Sequence, residues 1–265
     1  MAEVVVVEVP QWRGSGSRTA ERLREGARLL AGMVDAEHRT RVEVDDDLAA
    51  TAARVRSALS QAPDGLVVTT GGDCGVELEP VKAARRRFGD RLVVVWFDAH
   101  GDLNTPSSSP SGAFHGMVLR ALTGEGPAGL VPDEPVDPRQ VVLVGVRDLD
   151  PGEAAFIESN GVRHLGLVDP VALTDAIAEA APHPRSAAVY VHIDLDVLDP
   201  DVFASIGCPT PGGLQPDQLL ALVTAIAGRF EVAGLGIVEY EPSRPEDQEL
   251  LTPLVHTLAT VCAKN

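Results

Sequence analysis

Two apolar segments of the chain each end in closely spaced ionisable residues. Asp98, His100 and Asp102 directly follow one valine-rich segment, and Asp194 and Asp196 directly follow another. In an extended segment, residues two apart project to the same face, so the members of each set can converge on one point. Carboxylates and an imidazole brought together in this way are typical of a metal site.

Repulsion between the carboxylates favours a metal site over ordinary loop residues. Four aspartates crowded together would raise one another's pKa unless a cation neutralised them. Oxygen and imidazole ligands suit Mn²⁺, and this set exceeds the needs of one ion, which favours two ions and an acidic bridging water. A single pair of aspartates is more often a cap or a loop feature, but two sets directly after apolar strands favour metal binding.

Composition and charge argue against several classes of partner. The 265 residues carry a formal net charge of −17, which argues against nucleic acid and anionic membranes as partners. No segment approaches the roughly 18 apolar residues of a membrane helix, and the N-terminal segment lacks the features of a signal peptide. Cys74, Cys208 and Cys262 cannot form a paired disulfide framework, which predicts a reducing cytoplasm.

Continuous valine-rich segments alternate with helix-period segments along the chain. Continuous apolar residues favour strands covered on both faces, as in a parallel sheet. Helix-spaced apolar residues occupy 48–59, 219–226 and 250–261. We therefore predict a single α/β domain over residues 1–265, with three α/β/α layers and a mainly parallel central sheet. The predicted strands are residues 4–7, 66–68, 92–97, 141–146, 187–193 and 232–238.

Six short motifs extend over nearly the whole chain. They are GGDCG 71–75, DAHGDLNT 98–105, SGAFHGM 111–117, GVRDLDPGE 145–153, HIDLDVLDP 192–200 and VEYEP 238–242. Together and in this order they resemble the ureohydrolase (arginase–agmatinase) family, and several such motifs in one chain are highly specific.

The resemblance implies an arginase-like enzyme with two Mn²⁺ ions at the carboxyl edge of a parallel sheet. Such enzymes hydrolyse a guanidinium group to urea and an amine. Matched by motif, Asp98 and Asp194 bridge the two ions. His100 and Asp196 complete one ion, and Asp102 ligates the other.

The same resemblance implies three catalytic residues. Asp102 accepts a proton from the attacking hydroxide and passes it towards the leaving amine. His115 of the HGM motif acts as a proton shuttle, and Glu239 pairs with the substrate guanidinium. These roles agree with the general chemistry of metal-activated water, which needs no protein nucleophile.

Several motif residues match positions that bind substrate in arginases. Asn104 and Ser111 correspond to residues that hold the α-carboxylate, and Asp150 to one that helps bind the α-amino group, with Glu153 assisting. Such hydrogen-bonding sites discriminate strongly against substrates that lack the matching group, so an amino acid fits better than agmatine. The alternative is that these residues only form turns.

Three positions depart from the family pattern. Cys74 stands where the family has a histidine ligand, Cys208 replaces a threonine near the guanidinium, and Ala113 replaces an asparagine near the α-carboxylate. A thiolate suits Mn²⁺ poorly, so Cys74 predicts weak ligation, an incompletely occupied site, or a softer ion such as Zn²⁺ or Fe²⁺. A buried inert cysteine is the remaining interpretation. We interpret His192 as a packed histidine rather than a ligand.

These departures leave alternative functions open. An altered or single-metal centre could serve an N-substituted arginine such as Nω-hydroxy-L-arginine. Lesser alternatives are an agmatinase, another guanidino-acid ureohydrolase, and a catalytically impaired regulatory homologue. A zinc deacetylase of related fold would leave Asp102 and Asp196 unexplained. An aspartyl phosphatase would need Lys or Thr residues at a supporting spacing, and the chain has none there. The expected partners are a small guanidino substrate and, by resemblance, copies of the chain in a trimer or hexamer.

Overall fold

Parallel strands form the centre of the computed structural model, which describes residues 2–264. All neighbouring strands in the eight-stranded sheet are paired in parallel. The strands are β1 (Val4–Val9), β2 (His38–Arg41), β3 (Leu66–Gly71), β4 (Leu92–Phe97), β5 (Val141–Val144), β6 (Arg163–Leu165), β7 (Ala188–Asp194) and β8 (Glu231–Val238).

Helices connect most of these strands. Several of them begin at a proline, which has the helical φ and lacks the N–H that would be unpaired in the first turn. Within residues 2–264 no helix is both long enough and apolar enough to cross a membrane. The helices are α1 (Leu23–Met33), α2 (Leu48–Gln61), α3 (Leu78–Phe88), α4 (Val118–Leu122), α5 (Pro151–Asn160), α6 (Pro170–Ala180), α7 (Pro216–Arg229) and α8 (Pro245–Cys262).

The strand order determines which loops become neighbours. The order is β2-β1-β3-β8-β7-β4-β5-β6, so β3, β8, β7 and β4 lie side by side in the middle of the sheet. Because the strands are parallel, their carboxyl ends share one edge. The segments that leave this edge contain most of the residues predicted to do chemistry.

Alternate residues of each central strand pack into different cores. In β4, Val93, Val95 and Phe97 face a core that includes residues of α1, α6, α7 and α8. Val94 and Trp96 face a second core that includes residues of α2, α3, α4 and α5. Burial on both faces explains why the strands have continuous apolar sequences. The prediction of three α/β/α layers around a parallel sheet is confirmed.

The sequence patterns missed the two outermost strands. All four residues of β2 are exposed, and β6 is only partly buried. Short, polar edge strands resist pairing with other chains, but for the same reason they lack the apolar signal that reveals central strands. The predicted strand 141–146 also ends early, at Val144, because Gly145 turns the chain with a φ of 85°.

Two glycines of α1 test how closely this helix packs on the sheet. A β-carbon at Gly26 would overlap the carbonyl oxygen of Tyr240, whereas a β-carbon at the exposed Gly32 meets nothing within 4 Å. We expect Gly26→Ala to lower the free energy of unfolding by about 1–3 kcal/mol through overpacking. Gly32→Ala should raise it by about 0.5–1 kcal/mol through helix propensity. Urea denaturation followed by circular dichroism measures both, and equal effects would contradict the packing.

Candidate metal centre and active site

The predicted metal ligands meet where four neighbouring strands end. All of them are buried except His100, which is partly exposed. Four loops leaving one edge of the sheet therefore build a compact acidic cluster. The cluster comprises Cys74 after β3, Asp98, His100 and Asp102 after β4, Asp194 and Asp196 at the end of β7, and Glu239 after β8.

His100 and two aspartates form one group of potential ligands. Nδ1 of His100 lies 3.0 Å from Oδ2 of Asp196 and 3.4 Å from Oδ1 of Asp98. Backbone amides hold both carboxylates, since Asp98 accepts from His100 N at 2.6 Å and Asp196 accepts from Ala99 N at 3.0 Å. The geometry brings together the three residues that the motifs assign to one ion.

Cys74 lies at the centre of a second group. Its Sγ donates to Oδ2 of Asp194 at 3.1 Å, and its backbone N donates to Oε1 of Glu239 at 3.0 Å. Potential ligand atoms of Cys74, Asp98, Asp102 and His192 also lie within 4.8 Å of one another. Asp98 thus offers potential ligand atoms to both groups, and its role as a bridging ligand stays a prediction.

Burial and mutual repulsion change the pKa values of these acids. Burial, with the charge of Asp196, raises the pKa of Asp98 to about 7. Burial and the neighbouring aspartates raise the pKa of Asp102 and of Asp194 well above the ordinary value. Burial also acts to raise the pKa of Asp196, but the bond and charge of His100 outweigh it and leave that pKa low. Full ionisation at neutral pH therefore requires additional positive charge.

Two residues of the site have unusual backbone conformations. Asp102 has a φ of 51° and Glu239 a φ of 61°, and they are the non-glycine residues with positive φ within residues 2–264. Such conformations cost about 1–3 kcal/mol each and are concentrated at functional sites. Hydrogen bonds hold both residues, because Arg120 N donates to the Asp102 carbonyl at 3.0 Å and Glu239 N donates to the Gly72 carbonyl at 2.8 Å.

The donor atoms fit a divalent cation. Oδ2 of Asp102 is buried and has no hydrogen-bond partner among the described residues. A buried carboxylate oxygen without a partner is unfavourable, and a cation would satisfy it. Carboxylates with an imidazole and a thiol suit a borderline transition-metal ion better than Mg²⁺ or Ca²⁺.

His115 connects Glu239 with the N-terminal loop. Its Nδ1 lies 3.1 Å from Oε1 of Glu239, and its Nε2 accepts from Gly16 N at 3.2 Å. Burial lowers the pKa of His115, but Glu239 and nearby aspartates outweigh burial and bring it to about 9. Glu239 thus favours the charged ring, whereas the Gly16 bond requires a lone pair on Nε2 and the neutral ring. A ring with both forms stabilised suits proton exchange.

The predicted substrate residues line a cavity of about 250 Å³ beside the acidic cluster. Cys74, Asp98 and Glu239 do not line it but contact residues that do. Among the lining residues are His100, Asp102, Asn104, Ser111, His115, Asp150, Glu153, Asp194, Asp196 and Cys208. Four of the six predicted metal ligands and all five predicted substrate residues therefore line one cavity.

Three of the predicted substrate residues also support the local backbone. Nδ2 of Asn104 donates to Oδ2 of Asp150 at 2.8 Å. Glu153 accepts from Asp150 N at 2.9 Å, at the start of α5, and from Leu103 N at 2.9 Å. These bonds are those of a loop and helix cap, as in the turn-forming interpretation. A role of the same residues in binding substrate stays a prediction.

Sequence reasoning missed Asp73 as a residue of the site. Its carboxylate accepts from Gly14 N at 2.8 Å and from Gly75 N at 3.0 Å, which ties the N-terminal loop to the loop of Cys74. Burial, with the charge of Glu239, raises the pKa of Asp73 to about 7. The sequence could have indicated this role, because Asp73 lies between two glycines and the candidate ligand Cys74.

Comparison with known proteins identifies the family. A family model described as "Arginase family" matches residues 17–261. The chain belongs to the arginase family. Arginase of Staphylococcus aureus (strain MRSA252) is 34% identical over 179 residues, which cover 65% of this chain and 59% of that protein. Arginase of Coccidioides immitis (strain RS) is 31% identical over 224 residues, which cover 79% of this chain and 70% of that protein.

Solved structures share the arginase-family fold. Arginase of Entamoeba histolytica in complex with L-ornithine has a TM-score of 0.84 at 23% identity, covering 99% of this chain and 98% of that one. Proclavaminate amidino hydrolase of Streptomyces clavuligerus has a TM-score of 0.73 at 22% identity, covering 98% of this chain and 93% of that one. At these identities the likeness shows the fold alone.

The buried acids of this arginase-family chain predict an unusual pH dependence of stability. The folded pKa values of Asp73 and Asp98 are about 7 and that of Glu77 is about 8, all above the ordinary values. At these three positions the folded state therefore binds more protons than the unfolded state between about pH 4 and pH 8, and their contribution to stability falls as pH rises. His115, whose pKa is also raised, acts in the same direction.

We expect the melting temperature of the metal-free protein, measured in chelator, to fall by several degrees between about pH 5.5 and pH 8. Added Mn²⁺ or Zn²⁺ should remove most of this fall, because a cation that binds the ionised site stabilises the folded state. A melting temperature that rises with pH in chelator would contradict the burial of these acids.

Proposed function

We propose that the protein is a metal-dependent ureohydrolase that hydrolyses the guanidinium group of an arginine-like amino acid to urea and an amine. The observation that supports this most directly is the meeting of the predicted ligands at one carboxyl edge of the sheet, in a chain of the arginase family. The adjoining cavity of about 250 Å³ has room for a small substrate.

Two groups of residues would hold the cations, for which Mn²⁺ is the ion expected from the motifs. Asp98, His100 and Asp196 would hold one ion, and the groups around Cys74, which include Asp98, Asp102 and Asp194, would hold the other. Bound divalent cations would supply Lewis acidity that makes a water molecule a better nucleophile at neutral pH.

The chain's own residues bind the substrate and move the protons. Glu239, a buried carboxylate that contacts His115 at the cavity wall, is the residue that the resemblance assigns to the substrate guanidinium. The buried carboxylate of Asp102 accepts a proton from the attacking water, through the oxygen that does not bind the cation, and returns it to the amine nitrogen as the C–N bond breaks. His115, at the cavity wall, exchanges protons with solvent.

A substitution of Asp102 should change the rate of urea release and the thermal stability in opposite directions. Asp102→Asn keeps the shape of the side chain, and asparagine tolerates positive φ. We expect urea release to fall by about 10²–10⁴-fold, because the proton acceptor is lost. The melting temperature of the metal-free variant should rise, because a buried carboxylate with a raised pKa is removed.

The exposed aspartate Asp133 provides the matched control. Asp133→Asn should leave both urea release and the melting temperature unchanged. Retention of activity in Asp102→Asn would remove Asp102 from the proposed mechanism.

The altered cavity supports a second candidate substrate. Cys208 lines the cavity, and burial raises the pKa of its thiol to about 12, so the side chain is a neutral and weak hydrogen-bonding group. Together with Cys74 this favours an N-substituted arginine such as Nω-hydroxy-L-arginine as the alternative substrate. Agmatine fits less well if Ser111 and Asp150 bind the groups of an amino acid.

A panel of guanidines distinguishes the candidates. We expect kcat/KM for urea release to be at least about 10-fold higher with arginine or Nω-hydroxy-L-arginine than with agmatine, which lacks the α-carboxylate. Steady-state assays after metal loading measure this. A kcat/KM for arginine equal to or above that for Nω-hydroxy-L-arginine would remove the alternative, and no turnover at any metal concentration would favour a regulatory homologue.

The proposed enzyme is a cytoplasmic homo-oligomer, a trimer or hexamer by family resemblance. Its three cysteines are free thiols, which suits a reducing compartment. Light scattering coupled to size-exclusion chromatography measures the oligomeric state.

A further inference from the structure

His192 is a fully buried histidine of β7 that has no role in the proposed catalysis. It lies two residues before Asp194, so the two side chains project from the same face of the strand. Its exposed fraction is 0%. A neutral imidazole carries one N–H and one lone pair, so the neighbours of the ring decide which nitrogen can bind a cation.

Two neighbours fix the orientation of the ring. The imidazole stacks on Trp96 with 3.4 Å between ring centroids and 11° between planes. Its Nδ1 lies 3.4 Å from Oε2 of Glu77, a carboxylate that is also fully buried. When Glu77 is ionised, its carboxylate accepts from the ring, so the proton belongs on Nδ1 and Nε2 carries the lone pair.

Nε2 faces the thiol of Cys74. The distance from Nε2 to Sγ is 3.8 Å, which is long for a hydrogen bond. One ion can contact both atoms at this separation, because typical Zn–S and Zn–N distances of about 2.3 and 2.1 Å add up to about 4.4 Å. Ligand atoms of Asp98 and Asp102 lie within 4.8 Å of Sγ and of the imidazole.

We propose that Cys74 and His192 form a sulfur–nitrogen donor pair for one divalent cation, with oxygens from Asp98 and Asp102. This inference rests on the proposed function and deepens it, because it names a nitrogen donor that compensates for the histidine missing at position 74. When the cation binds, the thiol loses its proton to solvent, so one proton is released for each ion bound at this position.

The surroundings of His192 are those of a metal ligand. Histidines that bind metals usually donate their other N–H to a carboxylate, which fixes the ring and strengthens the ligand. Glu77 has this position, and β8 makes room for it, because a β-carbon at Gly236 would overlap its carboxylate. Burying a carboxylate is unfavourable, and simple packing would be served better by an apolar residue.

The unpartnered oxygen Oδ2 of Asp102 is a second, independent indication of a cation at this point, within the described part of the chain. A donor set with thiolate and imidazole prefers softer ions than Mn²⁺ does. The position should therefore select Zn²⁺, Co²⁺ or Fe²⁺ over Mn²⁺, whereas the group of His100 and its two aspartates retains the preference for harder ions.

Cobalt titration of the full-length, metal-free protein tests the proposal. Co²⁺ bound to a thiolate gives a charge-transfer band in the near ultraviolet, and elemental analysis gives the number of ions bound. We expect the wild type to show this band. His192→Asn should weaken Co²⁺ binding at the thiolate position by at least about 100-fold, and Glu77→Gln by about 10–100-fold, since Glu77 acts as a positioning residue.

His164→Asn is the matched control. His164 is another histidine of the sheet, and its Nε2 bonds to the backbone carbonyl of Val146 at 2.9 Å. This variant should keep the band and the affinity of the wild type. Cys74→Ser should abolish the band, which assigns it to this thiol.

The results distinguish failure of the inference from failure of the proposed function. Two ions bound without a thiolate band, or an affinity in His192→Asn within about twofold of wild type, would overturn the donor pair and leave the ureohydrolase intact. Absence of any bound ion would overturn both. Should His192→Asn fail to fold, X-ray absorption of the Zn²⁺-loaded wild type decides: one sulfur and two imidazoles per two ions support the pair, and one imidazole overturns it.

Discussion

Repulsion between buried carboxylates is the constraint on which the site depends. Asp98, Asp102, Asp194 and Asp196 are held at one edge of the sheet, where burial and mutual charge oppose ionisation of most of them. The protein tolerates this arrangement because two large apolar cores, one on each face of the sheet, hold the strands in place. The acidic cluster is therefore a local source of instability within a well-packed scaffold.

The parallel sheet converts distant parts of the sequence into one site. Four adjacent central strands, β3, β8, β7 and β4, each deliver side chains at their carboxyl ends. The strained backbones of Asp102 and Glu239 direct their carboxylates into the cluster, and hydrogen bonds to neighbouring loops hold them there. The order of the strands and the backbone conformation of the loops thus contribute separately to the positions of the carboxylates.

Much of this arrangement could be predicted from the sequence, for identifiable reasons. Buried parallel strands have an uninterrupted apolar pattern, and charged residues spaced two apart directly after a strand predict a shared face. The outer strands β2 and β6 escaped detection because they lack that pattern. The environment of His192 also escaped, because it depends on Trp96 and Glu77, which belong to other elements of the fold. Sequence periodicity reveals which faces of a single strand are buried, but it does not reveal which side chains of different elements contact one another.

Gly236 has no chemical group, yet it determines where the carboxylate of Glu77 can lie. That carboxylate orients His192, whose ring in turn faces Cys74. Substitutions at these positions should therefore be interdependent during evolution: a larger residue at position 236 would be tolerated only after Glu77 had been replaced by a smaller residue. A residue without a functional group would in this way preserve the orientation of a buried histidine in the descendants of this protein.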